Sequence, residues 1–302
     1  MTSRGYETRN LGFWSRQEQE CLEASKVAVI GVGGDGFQLG AKLAMMGVGE
    51  IRAADPDVFE IENSNRVIGS RSSTLGQNKA KVFQEYVAEM PQGTTVRTYE
   101  DGATEENIDE IVRGADLIVD ESELRYLHVA TMIARKAIEY EVPVLSAMNI
   151  GFAGVVTSYQ PNYSSHGFHK AMGVDPQMPL EDVRGQAVEY DKVIPYLPSY
   201  GDYKVLRAVH NGAPLPSISP GVDIASGIGA TEAFLHLVHK NGNNRKQPVW
   251  APKYRYYDAY SQKAGVIRHP RLSYYTGALA LTAKTKLGLN PTTSYPVHNS
   301  AN

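Results

Sequence analysis

A glycine-rich loop near the N-terminus constrains this chain more than any other feature. The loop, GVGGDG at positions 31–36, follows an apolar predicted strand at 27–30. After it, Leu39, Leu43 and Met46 fall on one face of a predicted helix. A glycine turn between a strand and a helix lets a phosphate approach backbone N–H groups at the helix N-terminus. We therefore predict a nucleotide site that uses the loop glycines Gly31, Gly33, Gly34 and Gly36.

The same strand-then-helix alternation continues through the first half of the chain. Short apolar runs predict further strands at 51–54, 96–99, 117–120, 142–145 and 155–159. Helical periodicity occurs between several of them, at 82–87, 108–112 and 127–137. This pattern predicts an α/β fold with a doubly wound, mostly parallel, Rossmann-like sheet.

A length of 302 residues allows two domains, but the absence of a linker in the first half of the chain leads us to predict one domain. We divide it into an N-terminal arm (1–25), a nucleotide-binding half (26–159), a crossover or lid rich in Pro, Gly, Tyr and Ser (160–222) and a C-terminal part (223–302). In the C-terminal part, the spacing of apolar residues predicts a helix over 224–238, and the tyrosines of 254–260 indicate a late strand.

Composition excludes several classes of protein. The chain has 30 Lys and Arg against 33 Asp and Glu, so it carries no positive field that would collect nucleic acid or an anionic membrane. No apolar run approaches the roughly 20 residues of a membrane span, and the N-terminus lacks the apolar stretch of a secretory signal. We therefore expect a cytoplasmic protein. The single cysteine, Cys21, excludes an internal disulfide and a cysteine-based zinc site.

Polar residues after the second predicted strand extend the nucleotide signal. Asp55 ends that strand, where a carboxylate can accept hydrogen bonds from ribose hydroxyls. The glycine loop and Asp55 alone fit a nicotinamide-dependent oxidoreductase equally well. The following run, with Asp57, Asn63 and Arg66, and then Lys79 at the start of the next helix, adds cations suited to a polyphosphate. The dehydrogenase interpretation does not explain Arg66 and Lys79.

These motifs in order resemble the adenylating superfamily of ThiF, MoeB and the ubiquitin-activating enzymes. The resemblance rests on the glycine loop, Asp-x-Asp with Asn-x-x-Arg, Gly-x-x-Lys, a strand ending in Asp120, and Arg9-Asn10-Leu11-Gly12 with Glu18-Gln19 upstream. It covers residues 6 to about 160 well and the remainder weakly. It implies an E1-like adenylation fold that uses ATP and Mg²⁺.

The resemblance also assigns roles to individual residues. It implies that Gly34 lies against the nucleotide, that Asp55 holds the ribose, and that the phosphates are bound by Asn63, Arg66 and Lys79. Arg9 matches an N-terminal arginine that reaches into the site of the partner subunit, so a homodimer is implied. We accordingly assign cofactor-binding or catalytic roles to Arg9, Asp57, Arg66, Lys79, Asp120 and Glu123.

Glu123 departs from the family pattern. Relatives place a magnesium-binding Asp three residues after the strand-end Asp, whereas this chain has Glu123 three residues after Asp120. A glutamate can still bind a hard cation, but its longer side chain shifts the ion or replaces direct ligation by a water. Glu123 is therefore the predicted metal ligand.

The absence of cysteine after position 21 limits the chemistry that can follow adenylation. The family joins ATP and a carboxylate to give an acyl adenylate and pyrophosphate, and many relatives then form a thioester on an internal cysteine. Cys21 lies in the N-terminal arm, so we predict no thioester step and an acceptor outside the chain or within the substrate. The expected substrate is a peptide or small carboxylic acid in a biosynthetic or peptide-maturation pathway. A degenerate member that only binds nucleotide or a partner protein is a further alternative.

Three other features are interpreted as structural. His166 and His169 have the spacing of a ligand pair, but no third ligand stands near them in sequence. The tyrosines of 254–260 are expected to pack a strand. Lys240, Arg245 and Lys246 are expected on a solvated loop that includes residues 241–244.

Overall fold

One eight-stranded sheet organises the chain. The computed structural model describes residues 5–123, 125–186, 188–210, 213, 215–239 and 245–290. The strands are β1 (Lys26–Ile30), β2 (Glu50–Ala54), β3 (Thr95–Tyr99), β4 (Leu117–Asp120), β5 (Val144–Ile150), β6 (Ala153–Tyr159), β7 (Tyr254–Asp258) and β8 (Lys263–Ile267). Their order across the sheet is β3-β2-β1-β4-β5-β6-β7-β8.

The helices connect and cover these strands. They are α1 (Arg16–Ala24), α2 (Gly34–Met45), α3 (Lys79–Ala88), α4 (Ile108–Val112), α5 (Leu127–Glu139), α6 (Phe168–Met172), α7 (Leu180–Arg184), α8 (Tyr190–Val193), α9 (Tyr203–His210), α10 (Ser219–His239) and α11 (Pro270–Lys286). Two short 3-10 turns occur at Tyr6–Arg9 and Ile61–Asn65.

The direction of the strands divides the sheet into two parts. Strands β1 to β5 are parallel, which confirms the predicted doubly wound α/β fold. Strands β6, β7 and β8 continue the sheet as an antiparallel meander. The predicted strand at 155–159 is therefore confirmed, and it runs antiparallel to β5. Strands β1 and β4 are buried along most of their length and have nearly continuous apolar sequences, which is why their positions were predictable.

Two apolar layers cover the parallel strands. On one face α2, α3 and α10 pack around Phe37, whose ring contacts Phe83 edge-on at a centroid distance of 5.2 Å. On the other face α4, α5 and the short helices of the crossover pack around Ile118 and Ile133. A fully buried aliphatic or aromatic side chain of this kind contributes about 1.5–3 kcal/mol to folding. Both layers fix the strand ends that carry the candidate site.

The crossover contains more regular structure than the sequence indicates. Four short helices, α6 to α9, lie within 160–222. Helix α10 begins at Ser219, five residues before the predicted start at 224, because Pro220 suits the first turn of a helix. The predicted late strand is confirmed as β7, while β8 and α11 were not predicted. The division into four segments stays a prediction.

The N-terminal arm packs against the end of α10. Glu18 accepts hydrogen bonds from Arg245 Nε at 2.7 Å and Nη2 at 2.8 Å, and Arg245 Nη2 also donates to the Phe13 carbonyl. Arg245 and Lys246 lie in an exposed segment without regular structure, as predicted. The sequence did not show that Arg245 pairs with Glu18, a residue 227 positions away. Lys240 and the predicted loop at 241–244 lie outside the described residues.

No described helix is both long enough and apolar enough to cross a membrane.

Candidate active site

The predicted nucleotide residues converge at the carboxyl ends of β1, β2 and β4. Strand β1 lies between β2 and β4, so the strand order reverses direction at this point of the sheet. Open α/β sheets bind ligands in the crevice that such a reversal creates at the carboxyl edge. Asp55 follows β2, Asp120 ends β4, and the glycine loop follows β1. The fold thus brings together residues that are up to 90 positions apart.

Backbone contacts explain two of the loop glycines. Gly31 has φ of 90°, and a Cβ there would lie 2.3 Å from the Glu121 carbonyl oxygen. A Cβ on Gly36 would lie 1.9 Å from the Gly31 carbonyl oxygen. These glycines are required for close packing of the loop on β4. They shape the loop rather than offer space for a ligand.

Gly33 and Gly34 lie where a ligand could approach. Gly33 is the N-cap of α2, and a Cβ built on it would have no other atom within 4 Å. A Cβ on Gly34 would contact Val222 Cγ2 at 3.4 Å and Arg66 Nε at 3.5 Å. The N-terminus of α2 therefore has open space at Gly33 and a guanidinium beside Gly34. An anion is favoured there by the free N–H groups and the positive end of the helix dipole.

Asp55 connects the loop to the segment after β2. It is buried, and its carboxylate accepts from Val32 N at 2.6 Å and from Asp57 N at 2.9 Å. Burial raises the pKa of Asp55, and the nearby Lys79 ammonium opposes that shift. A carboxylate can accept about four hydrogen bonds, so a ribose hydroxyl can still donate to Asp55.

Lys79 is held beside Asp55 rather than projecting into solvent. Its Nζ pairs with Asp57 Oδ2 at 2.8 Å, and only 8% of the residue is exposed. Asn78 caps α3 by accepting from two backbone N–H groups, which fixes Lys79 at the first position of the helix. Asp57, in contrast, is exposed.

Arg66 covers the first turn of α2. Its Nη1 donates to the Glu62 carbonyl and to Asn65 Oδ1, both at 2.9 Å. Burial lowers the pKa of Arg66, while the carboxylates of Asp35 and Glu123 raise it. The group stays charged, because a guanidinium does not deprotonate in proteins. The predicted phosphate ligand Asn63 instead accepts from Glu60 N at 3.0 Å, which caps the turn that carries Arg66.

The sequence did not predict a role for Asp35, Glu121 or Asn149. Asn149 donates to Asp35 Oδ2 from its backbone N at 3.1 Å and from Nδ2 at 2.7 Å. Glu121 Oε1 accepts from Ala147 N at 2.7 Å. Burial raises the pKa of both carboxyls. These contacts join the glycine loop and β4 to β5, and the only sequence signal was an Asp inside the loop.

The predicted metal residues differ in their surroundings. Asp120 is buried and accepts from Ser122 N at 3.1 Å and Ser122 Oγ at 2.6 Å. Glu123 is exposed and forms an ion pair with exposed Arg125. Within the part of the chain that the structure describes, no three His, Cys, Asp or Glu side chains are grouped as a metal site. Glu123 fits Mg²⁺ as a single carboxylate that would share the ion with phosphate oxygens.

Arg9 lies near the opposite end of α2. Gln19 Nε2 donates to the Met46 carbonyl at 3.1 Å, and the Tyr6 hydroxyl fills the space beside Gly47. The turn that ends at Arg9 is therefore fixed where α2 ends, and Arg9 itself is exposed. Helix α2 has 12 residues, which corresponds to about 18 Å. Cys21 belongs to α1, the helix that Gln19 anchors at this same end.

Comparison with known proteins identifies the family. The ThiF family matches residues 7–275 of the chain. The chain belongs to the ThiF family. This result confirms the resemblance found in the sequence.

Individual relatives match about half of the chain. It is 32% identical over 169 residues to the adenylyltransferase and sulfurtransferase MOCS3 of Dictyostelium discoideum, covering 55% of this chain and 38% of that protein. It is 32% identical over 130 residues to the tRNA threonylcarbamoyladenosine dehydratase of Bacillus subtilis, covering 43% and 50%. The chain thus spans half or less of the length of these relatives.

Solved structures share the fold over a larger fraction of the chain. The crystal structure of E. coli MccB with ATP has a TM-score of 0.63 and 16% identity, and the match covers 89% of this chain and 72% of that chain. The crystal structure of PaaA has a TM-score of 0.60 and 18% identity, with 83% and 66% covered. At these identities the likeness concerns the fold alone.

Proposed function

We propose that this protein activates a carboxylate by ATP-dependent adenylation, releasing pyrophosphate, without forming a thioester on its own cysteine. One observation carries the proposal. Arg66 lies beside Gly34 at the open N-terminus of α2, Asp55 accepts from Val32 N in the glycine loop, and the Lys79 ammonium lies close to Asp55. This arrangement suits the triphosphate of a nucleoside triphosphate. A dinucleotide such as NAD⁺ carries fewer phosphate charges and would not need both cations.

The chain's own residues would act by holding charge and position. In the reaction a substrate carboxylate oxygen forms a bond to the α-phosphorus of ATP, and the bond from that phosphorus to the β-phosphate bridging oxygen breaks. Arg66 and Lys79 would stabilise the negative charge that develops on the departing pyrophosphate. Asp55 would orient the ribose through hydrogen bonds. Mg²⁺, when bound, neutralises phosphate charge, and Glu123 is the residue that would hold it.

The comparisons support the class of substrate. Solved structures with the same fold include E. coli MccB with ATP and with the peptide MccA. The curated relatives include adenylyltransferases. For this chain we propose a peptide or small carboxylic acid in a biosynthetic or peptide-maturation pathway. The near-neutral charge balance, with 30 basic and 33 acidic residues, gives no support for tRNA.

The acceptor would come from outside the chain or from the substrate. No cysteine follows position 21, and Cys21 lies in α1, a helix fixed at the far end of α2 from the glycine loop. An amine, amide or other nucleophile would therefore attack the acyl carbon and expel AMP.

We further propose a homodimer in which Arg9 acts in the partner's site. Helix α2, which is about 18 Å long, has the glycine loop at its start and the N-terminal turn that ends at Arg9 packed near its end. A two-fold dimer would place each Arg9 near the other subunit's phosphates. Mixing Arg9→Ala subunits with Lys79→Ala subunits tests this arrangement, because heterodimers would contain one intact site. Activity above either parent supports a shared site, whereas exchange of subunits without recovery contradicts it.

Isotope exchange between ATP and pyrophosphate tests the proposed reaction. The protein is incubated with ATP, Mg²⁺, labelled pyrophosphate and each acid of a panel of peptides and small carboxylic acids. Label in ATP that depends on one acid supports adenylation. ATP binding without exchange would indicate a degenerate nucleotide-binding member. Hydride transfer to NAD⁺ or NADP⁺ would instead indicate the oxidoreductase alternative.

A further inference from the structure

Three aromatic side chains form an exposed cluster at the end of β5. We call Phe152, Tyr200 and Tyr260 the aromatic cluster. The Tyr200 and Tyr260 ring centroids are 4.5 Å apart, and Phe152 lies 5.9 Å from Tyr200 and 5.7 Å from Tyr260. Phe152 is 36% exposed and Tyr260 is 65% exposed. Large apolar side chains grouped at a surface often mark a binding site.

Hydrogen bonds fix the cluster in place. Phe152 N donates to the Tyr200 hydroxyl at 2.9 Å, and Ala259 N donates to the Phe152 carbonyl at 3.1 Å. Asp258 is fully buried and accepts from Ser261 N at 3.0 Å. The turn that carries Tyr260 is thus tied to β7 on one side and to Phe152 on the other. Rings held in this way lose little conformational entropy when a ligand stacks on them.

Short contacts connect the cluster to the nucleotide site. Val222 lies beside Gly34, which is next to Arg66. Gly221, the preceding residue of α10, packs on the Gly151 carbonyl, and a Cβ there would be 2.1 Å from that oxygen. Phe152 follows Gly151 directly. One turn of α10 therefore separates the helix N-terminus that would receive phosphate from the aromatic cluster.

The charge of the two neighbouring surfaces differs. The nucleotide side presents Arg66 and Lys79. Arginines elsewhere in the described chain lie over aromatic rings, at Tyr86, Tyr126, Tyr140 and Phe234. In the same described ranges no arginine or lysine is found over a ring of the cluster. The exposed rings of Phe152 and Tyr260 suit an apolar part of a substrate, beyond the reacting carboxylate.

We propose that the aromatic cluster binds an aromatic or similarly flat apolar group adjoining the carboxylate that is activated. The inference rests on the proposed adenylation and adds the class of acid. Tyr260 and Phe152 offer exposed ring faces and edges, to which another ring packs in offset or edge-on geometry. The acid would lie across the first turn of α10, with its carboxylate toward Gly33 and its apolar group on the cluster.

Two acids of equal charge provide the test. N-acetylglycyl-phenylalanine and N-acetylglycyl-alanine are compared in ATP–pyrophosphate exchange and, in the presence of ATP, in binding by isothermal titration calorimetry. We expect the phenylalanine acid to be preferred at least about 10-fold, as for other apolar pockets. Tyr260→Ala should reduce that preference about 10-fold, and Tyr260→Phe should retain it. Tyr257→Ala is the matched control, because Tyr257 is a 42% exposed tyrosine on β7 outside the cluster.

The outcomes separate this inference from the proposed function. Preferential binding without exchange for any acid would support the cluster's role and contradict adenylation. Exchange with equal use of both acids would support adenylation and overturn the inference, as would no binding of the phenylalanine acid. The melting temperature of Tyr260→Ala checks that its loss of preference is not caused by unfolding, and Phe152→Leu, which removes a second ring but keeps an apolar side chain at the turn, should lower the preference as well. A change of oligomeric state in Tyr260→Ala alone would mark the cluster as an interface between copies and overturn the proposal.

Discussion

The parallel and antiparallel parts of the sheet carry different chemistry at adjacent edges. The ends of β1, β2 and β4 present glycines, carboxylates and two buried or half-buried cations. The turns around β6 and β7 present tyrosines and a phenylalanine. The first part is built from short local motifs that the family shares, and the second depends on side chains from three separate segments. Together, the two proposals assign the reaction to the parallel strands and the choice of acid to the antiparallel ones.

Removal of the Lys79 ammonium should give the largest effect. Lys79→Ala should lower pyrophosphate formation about 100-fold or more, because a cation placed against developing phosphate charge is lost. Lys81→Ala, in the same helix but exposed, is the control and should stay near the parent rate. The measurement is initial-rate exchange at saturating ATP. Equal rates for both variants would remove Lys79 from the site.

A methyl group at Gly33 tests the space that the nucleotide would fill. Gly33→Ala should keep the melting temperature, because nothing lies within 4 Å of the added carbon and φ is −85°. ATP binding should weaken about 10-fold or more, since backbone N–H groups at a helix N-terminus need close approach of the phosphate. Gly227→Ala has the same open surroundings within α10 and should leave the ATP Kd unchanged. The Kd of each variant for ATP is measured by calorimetric titration. An unchanged Kd for Gly33→Ala would contradict the placement of the phosphates at Gly33.

Loss of a buried carboxylate in the antiparallel part should affect stability and not ATP binding. Asp258→Ala leaves the Tyr196 hydroxyl and Ser261 N without their acceptor. We expect a loss of about 1–3 kcal/mol in the free energy of unfolding. The ATP Kd should stay within twofold of the parent value. A large loss of ATP affinity in the folded variant would show that the two edges are not independent.

The N-terminal arm belongs to neither edge, and its ion pair should make a smaller, pH-dependent contribution. Hydrogen bonds from Arg245 lower the pKa of Glu18 to about 2. Because the folded pKa lies below the ordinary value, the stabilisation is present above about pH 4.5 and is lost as the pH falls toward 2. Arg245→Gln should cost about 1 kcal/mol or less at pH 7, since the side chain is 39% exposed. The difference in melting temperature should shrink at low pH, and a constant difference would contradict the ion-pair explanation.

Substitution of the only thiol should have the smallest effect. Cys21→Ser should retain most product formation, because α1 is anchored at the far end of α2 from the glycine loop. The comparison uses steady-state product formation and mass spectrometry of the denatured protein. A substrate thioester trapped on Cys21 would overturn the proposed chemistry.

Strands β1 and β4 could be predicted because each is a buried, largely apolar run followed by a periodic helix. Strand β8 could not, since Lys263-Ala264-Gly265-Val266 is exposed and Gly265 interrupts any strand pattern. Helix α11 was not predicted for a related reason. Leucines such as Leu272 and Leu279 are exposed and only Tyr274 and Leu281 are buried, so its apolar residues do not mark one buried face.

The nucleotide residues were predictable to the extent that they occur in local motifs. Asp55 and Lys79 were found because each follows a recognisable strand or helix boundary. Contacts such as that between Asp35 and Asn149 join residues 114 positions apart, and a single sequence does not show which distant residues meet. The aromatic cluster is of the same kind, because only the fold brings Tyr200 of the crossover onto Phe152.

The close approach of Gly36 to the Gly31 carbonyl has a consequence for directed evolution of this scaffold. A carbon atom 1.9 Å from that oxygen cannot be accommodated, so most clones from a library randomised over the glycine loop would lack a closed loop. Variation at the side chains of Phe152 and Tyr260, which are exposed on surface turns, carries no such steric limit. A search for variants that accept new acids should therefore keep the glycine loop unchanged and mutagenise those turns, where substitutions would alter selectivity without preventing the loop from closing.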